Sequence, residues 1–371
     1  MSKPLRLLVD GRAVSGRQGG VARVITRIVA ALAPYDDIRV RVLNNFPEAW
    51  TGMDHVEISS FSMPSNPGLE NEFFWEQTTM RTIVKRHKPD VFWSPWNIGV
   101  PLGLNVPLIL TVHDIIPLRH PNPLGSRYRS ALYRLSLRQS LYSADAILTP
   151  SEFTRQDLAE RCGVYAHSIG VIPWGVEEHF HPSEPKELKP DTQPYRLLYV
   201  GGHERRKNVA TLLEALALLQ REHPSLPVEL HMTGTKDHLH ATSVEAMRQL
   251  EDASAVRMLG YLDDHQLPDV YRSADLFVFP SVEEGFGFPP LEAMASGVPV
   301  ICGAFDSIPE VVGPAAHITD VTNARNLASC MAELLGDRAE REKLHRLGLS
   351  RAGRFRWQRT AEHFAAVVRS V

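Results

Sequence analysis

Glu284 and Glu292 stand with seven residues between them, Gly285-Phe286-Gly287-Phe288-Pro289-Pro290-Leu291. A carboxylate accepts hydrogen bonds from hydroxyls. Glycines let backbone come close to a ligand, and proline suits a helix start because it lacks an N–H that the first turn leaves unpaired. The remaining N–H groups of such a turn face an anion. Two acids around a glycine turn therefore suit a molecule with both hydroxyls and phosphate, a sugar nucleotide. Taken singly, Glu292 is also readable as an acid at a helix start, held by the helix dipole, and Glu284 as a solvated loop acid. The pair, the glycines and the prolines together favour the ligand.

A second group of charges lies in Gly201-Gly202-His203-Glu204-Arg205-Arg206-Lys207-Asn208. Adjacent cations at a strand-to-helix turn neutralise a diphosphate, arginine through its fork and lysine as a point charge, or they make a solvated turn. Gly16-Arg17-Gln18-Gly19-Gly20 leads into a helix and can set amides near a phosphate or a sugar, although loops use glycine everywhere. His113-Asp114 closes an apolar run. From the residues alone, the histidine is satisfied by a nearby carbonyl and the aspartate caps the next segment; a histidine there can also donate a hydrogen bond to a ligand.

The elements that must position these groups alternate. Runs at Leu5 to Val9, Ile38 to Val42, Val91 to Trp93, Leu108 to Val112, Ala146 to Leu148 and Ile169 to Ile172 read as strands separated by helical patterns, which argues for parallel βαβ units. A second series follows at Arg196 to Val200, Val228 to Met232, Val256 to Leu259, Leu276 to Phe279 and Val298 to Cys302. In an open parallel sheet, ligands sit outside the carboxyl ends of the strands, and the glutamate loop leaves such an end at Phe279. Between the series, Glu177 to Pro194 reads EEHFHPSEPKELKPDTQP, a stretch that supports no core. The expected division is residues 1–180, a linker at 181–194, and residues 195–356. Asp263-Asp264 read as helix caps rather than a metal site, and no His, Cys or carboxylate cluster argues for a bound metal.

With 371 residues the chain is long enough for two domains with a core each. A formal net charge of −3 gives no argument for nucleic acid. The three cysteines, Cys162, Cys302 and Cys330, are widely spaced and imply reduced thiols and a cytoplasmic setting. The N-terminal run reads as a first strand rather than a signal peptide, and no apolar run reaches the roughly 18 residues of a membrane span. From Ile115 to Ala144 there is no Asp or Glu, while Arg119, Arg127, Arg129, Arg134 and Arg138 fall inside. A helix over 126–142 puts Arg127, Arg134 and Arg138 on one face, either a peripheral contact with an anionic membrane or a solvated basic helix packed by its leucines. Trp75-Glu76-Gln77 and Trp93-Ser94-Pro95-Trp96-Asn97 suit an acceptor wall or a core equally.

The stretch Glu284 to Ile301 closely resembles the paired-glutamate motif of the retaining glycosyltransferases of family 4, the glycosyl transferases group 1, and the resemblance extends over nearly the whole chain. Trp75-Glu76-Gln77, Thr111-Val112-His113-Asp114, Arg206-Lys207-Asn208 and Ser307 to Gly313 look most like bacterial mannosyltransferases of polysaccharide assembly. The resemblance implies the GT-B fold, α/β with two Rossmann-like domains facing each other across a cleft, the last helix, 357–371, returning to the first domain. It implies a donor site at Glu284, Gly285, Phe286, Gly287, Phe288 and Glu292, with Gly202, Arg206 and Lys207 on the diphosphate and Gly260-Tyr261 on the base. His113, Gly19 and Gly20 are then directed at the transferred sugar from the first domain, and cleft closure is needed for catalysis. Glu292 takes the ribose hydroxyls and Glu284 the sugar hydroxyls. Many family members carry an arginine where this chain has Gly202, which assigns the charge to Arg206 and Lys207, with Arg205 a substitute.

By the same resemblance the activity is transfer of a hexose, with retention and without metal or other cofactor, in bacterial surface polysaccharide synthesis. GDP-mannose is the first choice of donor, with UDP-glucose, UDP-galactose and UDP-N-acetylglucosamine open. The acceptor is an undecaprenyl-diphosphate oligosaccharide, a growing lipopolysaccharide chain or a small glycoside, met in the cytoplasm or at the inner face of the membrane. The rivals are another enzyme on this fold, a nucleotide-sugar epimerase or a phosphorylase, and a catalytically silent nucleotide-sugar-binding scaffold.

Overall fold

A computed structural model describes residues 3–15, 19–62, 73–120, 125–182 and 194–371. The expected linker at 181–194 and the glycine-turn residues Gly16, Arg17 and Gln18 lie mostly outside these. The chain divides into two compact units, one of residues 1–175 with 356–371 and the other of 176–355. Residues 176–180, assigned from sequence to the first half, thus go with the second, where the Phe180 ring packs edge-on against Tyr271.

In the first unit the strands are β1 (Leu5–Asp10), β2 (Ile38–Leu43), β3 (Val56–Ser59), β4 (Val91–Ser94), β5 (Leu108–Thr111), β6 (Ala146–Thr149) and β7 (Ile169–Val171). They form one sheet in the order β3-β2-β1-β4-β5-β6-β7 with parallel pairings throughout. The inner strands β4 and β5 are buried along their length, as expected where helices cover both faces of a parallel sheet. The helix α1 (Gly20–Ala31) buries Val24, Ile25, Ile28 and Val29, an apolar stripe at helical spacing. The helix α2 (Arg127–Ser143) inserts Tyr133, Leu137 and Leu141 into a core with Leu8, Phe92, Leu110 and Ile147. The C-terminal helix Trp357–Ser370 belongs to this unit. Its Phe364 ring lies 4.4 Å from that of Trp93, and Thr360 Oγ1 donates to the Pro173 carbonyl at 2.7 Å. A Cβ on Gly175 would stand 2.3 Å from the Trp357 nitrogen, so the crossing admits only glycine.

The second unit has β8 (Tyr195–Tyr199), β9 (Val228–Met232), β10 (Val256–Met258), β11 (Leu276–Phe279), β12 (Val300–Cys302) and β13 (His317–Ile318). Their order is β10-β9-β8-β11-β12-β13, again parallel. The helix α3 (Val209–Glu222) buries Leu212, Leu213, Leu216 and Leu219 against Leu230, Leu276 and the helix α4 (Ala324–Gly336). In both sheets the order reverses beside the first strand, between β1 and β4 and between β8 and β11. That reversal opens the crevice in which doubly wound sheets bind ligands.

Two strands had no sequence forecast. β3 is an edge strand whose residues are largely exposed, and β13 has two residues; pairing to a neighbour defines them, not an apolar run. The aspartate caps are corrected. The helix Leu267–Ser273 starts from Gln266 with no side-chain cap. The Asp263 carbonyl, not its carboxylate, accepts the Gln266 and Leu267 amides.

Candidate functional site

The loop after β8 and the loop after β11 meet at the reversal point of the second sheet. Val282 N–H donates to the Arg206 carbonyl at 2.9 Å, which brings the two charge groups read from sequence into contact. The Lys207 ammonium donates to Glu284 Oε1, with both side chains 11% exposed. Ser281 Oγ donates to the same oxygen at 2.7 Å. Arg206 gives one guanidinium nitrogen to the Glu283 carbonyl at 2.8 Å and to Glu284 Oε2 at 3.4 Å. Lys207 also lies 5.7 Å from the centre of the Phe279 ring, whose face favours a cation. Arg205, the substitute considered for the diphosphate, points to solvent. Asn208 takes the left-handed conformation at φ 54° and starts α3; that bend turns Lys207 back toward β11.

Beneath this pair lies Tyr199, the last residue of β8. Its hydroxyl donates to the Gly202 carbonyl, and burial, with the charges of Glu284 and Glu204 adding to it, raises the phenol well above its ordinary value. Tyr199 thus stays a neutral donor that ties down the glycine turn. Gly202 is exposed. Gly260 has φ +73° and exchanges backbone hydrogen bonds with Gly234, and the following Tyr261 side chain is 71% exposed.

On the far side of the glutamate loop, Gly287 has φ +99° and caps the helix Phe288–Ala295, with Pro289 and Pro290 in its first turn. Phe286 does not offer its ring to a ligand. It is buried between Phe288, 5.3 Å away, and Phe355, 6.0 Å away, so only its backbone can serve the site. Glu292 lies just past the first helical turn, where the sequence places it within that turn. It is the fifth residue of its helix and 3% exposed, and its Oε2 accepts the Tyr271 hydroxyl at 2.6 Å. Tyr271, Ser281, Asp306 and Ser307 are not among the site residues proposed from the sequence, where Ser307 enters only as the start of a family-like stretch. The Asp306 carboxylate accepts the Glu284 N–H at 3.0 Å, and Ser307 Oγ lies 3.1 Å from both the Glu284 and Phe286 carbonyls. Asp306 and Ser307 come from the loop after β12, and Tyr271 from the helix Leu267–Ser273, at sequence separations that periodicity does not reveal.

The remaining candidates belong to the first unit. His113 follows β5; its Nε2 donates to the Pro95 carbonyl at 2.9 Å, and its N–H goes to Asn97 Oδ1 at 3.0 Å. A carbonyl can only accept, so Nε2 carries the proton. Burial lowers the ring's proton affinity, against the opposite pull of the Pro95 carbonyl and Asp114. The neutral ring therefore presents Nδ1 as an acceptor, which corrects the expectation that it donates to the ligand. Gly19 and Gly20 open α1, and no described atom lies within 4 Å of where a Cβ would stand on either. Packing among the described residues does not demand glycine there, whereas the approach of a ligand to backbone would.

Three other sequence candidates are absorbed by the fold. Trp75 is buried, Glu76 pairs with Arg12 at 3.0 Å, and Gln77 bonds the Val100 carbonyl and Leu102 N–H. Trp93 is fully buried, while Trp96 is 44% exposed. Arg119 is removed from the basic surface: it pairs with Asp157 at 2.8 Å and lies over the Phe153 ring. Among the described residues no three His, Cys, Asp or Glu side chains are grouped to hold a metal ion, and no helix is long and apolar enough to cross a membrane.

The family model described as Glycosyltransferase Family 4 matches residues 18–180, and that described as Glycosyl transferases group 1 matches residues 181–350. The chain is 34% identical over 361 residues to the O-antigen chain mannosyltransferase B of Escherichia coli, covering 91% of this chain and 93% of that one. Among solved structures, it aligns with the sucrose-phosphate synthase of Thermosynechococcus elongatus at a TM-score of 0.77 and 18% identity, covering 100% of this chain and 99% of that one. It aligns with Anabaena HepE in complex with UDP and glucose at 0.75 and 18%, covering 99% and 100%. These structures share the GT-B fold with this chain. Both halves carry the family's pattern and the relationship to a curated member runs nearly end to end, so the chain belongs to the glycosyl transferases of group 1, glycosyltransferase family 4, and is a glycosyltransferase.

Proposed function

We propose that this glycosyltransferase moves mannose from GDP-mannose, with retention of configuration, to a hydroxyl of a glycan or polyprenyl-diphosphate-linked saccharide in bacterial surface polysaccharide synthesis. The observation that carries the reading is the cluster of Lys207, Arg206 and Glu284 at the strand-order reversal of the second unit. The choice of mannose is supported by the likeness to the E. coli O-antigen mannosyltransferase.

In this proposal the donor diphosphate draws Lys207 and Arg206, whose charges offset the negative charge growing on the leaving group. In this reading those two cations do the work that a divalent ion does in other enzymes. Glu284, released from Lys207, accepts hydrogen bonds from the sugar hydroxyls. Glu292, oriented by Tyr271, takes the ribose, and His113 Nδ1 accepts from a sugar hydroxyl. The bond from the anomeric carbon to the phosphate oxygen breaks as the bond to the acceptor oxygen forms on the same face. The acceptor's hydroxyl proton passes to the departing phosphate oxygen. The double-displacement alternative needs a carboxylate nucleophile beside the anomeric carbon.

The test is nucleotide release and thermal shift over a panel of GDP-, UDP- and dTDP-sugars, with EDTA present, for the wild type and Glu284→Ala. The reading expects GDP-mannose to be turned over in EDTA and the variant to be inactive. Turnover of a UDP-sugar alone removes the mannose assignment, and turnover that returns only with added divalent ion removes the metal-independent one. Interconversion of the donor with no acceptor present would favour an epimerase, and binding without turnover a scaffold. Contact of α2 with anionic lipid is proposed as the route to a lipid-linked acceptor, supported by the exposed arginines and aromatics of that helix.

A further inference from the structure

The glutamate loop is gripped from its backbone side by three consecutive residues. Asp306 Oδ2 accepts the Glu284 N–H at 3.0 Å, and Ser307 Oγ lies 3.1 Å from the Glu284 and Phe286 carbonyls. Ile308 Cδ1 stands 2.5 Å from the position a Cβ would occupy on Gly287. All three follow β12, the strand next to β11. Ser307 and Ile308 have no solvent exposure.

Asp306 is the unusual member. Its φ is +52°, a region that side-chain-bearing residues seldom occupy, and only Lys88 and Asn208 share it among the described non-glycine residues. Lys88 follows a helix as its C-cap, and Asn208 starts α3. Asp306 lies one residue ahead of Ser307, the N-cap of the helix Ile308–Val312, and a glycine would hold the same backbone without the steric cost. What glycine lacks is the carboxylate on the Glu284 amide. Strained residues that persist at functional sites are over-determined by their surroundings, and here the carboxylate's partner is the backbone of the candidate site's central acid.

We propose that Asp306 is a positioning residue for sugar transfer. It fixes the backbone of Glu284, so that the Glu284 side chain can leave Lys207 for the donor while the loop stays in place. The proposal rests on the role given above to Glu284. The carboxylate group itself touches no substrate; it acts through the Glu284 N–H. The requirement is for an acceptor oxygen on a residue that tolerates the left-handed conformation, and asparagine also meets it.

The experiment compares Asp306→Gly and Asp306→Asn in the full-length protein by three readouts: steady-state transfer, thermal melting, and amide exchange of the peptide containing Glu284. Asp306→Gly relieves backbone strain but loses a hydrogen bond and loosens the unfolded chain, so its melting temperature stays within about 3 °C of wild type, yet kcat falls on the order of 10- to 100-fold with little change in the donor KM. Glu284-peptide exchange quickens in the glycine variant. Asp306→Asn keeps wild-type exchange and a kcat within about threefold. A purely structural Asp306 predicts that activity tracks melting temperature, so a glycine variant that is stable and fully active overturns the proposal. Unchanged exchange in the glycine variant overturns it as well. Exchange needs no turnover, so a wild type inactive on every sugar nucleotide sinks the functional reading while the exchange comparison still decides whether Asp306 holds the Glu284 backbone.

Discussion

Lys207 and Glu284, 77 residues apart in the chain, form an ion pair in which neither side chain is more than 11% exposed. The carboxylate also takes the Ser281 hydroxyl and the weaker Arg206 contact. In this state the acid proposed for the sugar holds the cation proposed for the diphosphate. Each is thus the other's stand-in for donor, a low-cost way to keep two charges in a crevice before the ligand arrives.

The pair predicts opposite orderings for stability and activity. Lys207→Met leaves Glu284 with Ser281 and Arg206 and costs about 3 kcal/mol in stability. The joint Lys207→Met, Glu284→Gln variant removes both charges and recovers most of that loss. Transfer does not recover: kcat/KM falls on the order of 100- to 1000-fold in the lysine variant and falls further in the double variant. Denaturant melts beside initial rates make the comparison. A double variant more active than Lys207→Met would mean that Glu284 acts only as the lysine's partner.

Tyr271 gives a second handle. Its hydroxyl donates to Glu292 Oε2 at 2.6 Å inside the fold, and a hydrogen bond to a charged group contributes about 1.5–3 kcal/mol. Tyr271→Phe is expected to lower stability by about 2 kcal/mol and to weaken nucleoside diphosphate binding about tenfold, because Glu292 loses the contact that orients it. Calorimetric titration with GDP checks this. A lowered melting temperature with unchanged affinity would make Glu292 a structural acid and take the ribose from it.

The sequence made the alternation of strands and helices legible because buried parallel strands leave apolar runs and covering helices leave 3.6-residue stripes. The site was legible where chemistry is local: Glu284, Gly287, Pro289, Arg206 and Lys207 sit on loops whose neighbours announce them. It was not legible where partners meet only through the fold. Nothing near Asp306 says that its carboxylate meets an amide 22 residues earlier, or near Tyr271 that its hydroxyl lies on Glu292. Arg119 shows the converse: grouped with Arg127 to Arg138 by composition, it is drawn inward by Asp157, 38 residues downstream. Glu292 reads as a first-turn acid because the prolines mark the helix start, whereas the helix begins at Phe288, ahead of both prolines, and leaves Glu292 as its fifth residue, just past the first turn.

His113 predicts a pH dependence with a definite sign. Burial holds its imidazole below the ordinary value of 6.5, so the unfolded chain protonates first as pH falls. The stability associated with the neutral ring is complete above about pH 6.5 and is lost as pH drops through the lower folded value. His87, His203 and His231 are depressed in the same direction, burial being the largest cause, and add to the acid loss. The melting temperature should be flat from about pH 7 to 8 and fall below about 6.5, with the gap between wild type and His113→Asn narrowing in acid. Nitrogen-15 spectra near neutral pH should show the His113 proton on Nε2; a proton on Nδ1 would rule out its proposed role as an acceptor for the sugar.

The helix α2 carries the membrane prediction. Tyr128, Leu135 and Tyr142, at spacings of seven, are 60%, 61% and 90% exposed, while Tyr133, Leu137 and Leu141 fill the core side. Arg127, Arg134 and Arg138 are exposed beside them. Apolar groups flanked by cations bind an anionic interface by two additive terms, burial and charge, and each basic residue contributes about 1 kcal/mol. The triple variant Arg127→Gln, Arg134→Gln, Arg138→Gln should therefore bind vesicles of phosphatidylglycerol and phosphatidylcholine roughly 100-fold more weakly. Wild-type binding should decline as salt rises from about 0.1 to 0.5 M, and Tyr142→Ser should weaken it with little change in salt dependence. Co-sedimentation reads all three. Melting should be unaffected, since none of these side chains packs in the core. Equal binding to vesicles of phosphatidylcholine alone would show that charge plays no part, and no binding to either kind would leave α2 a solvated basic helix.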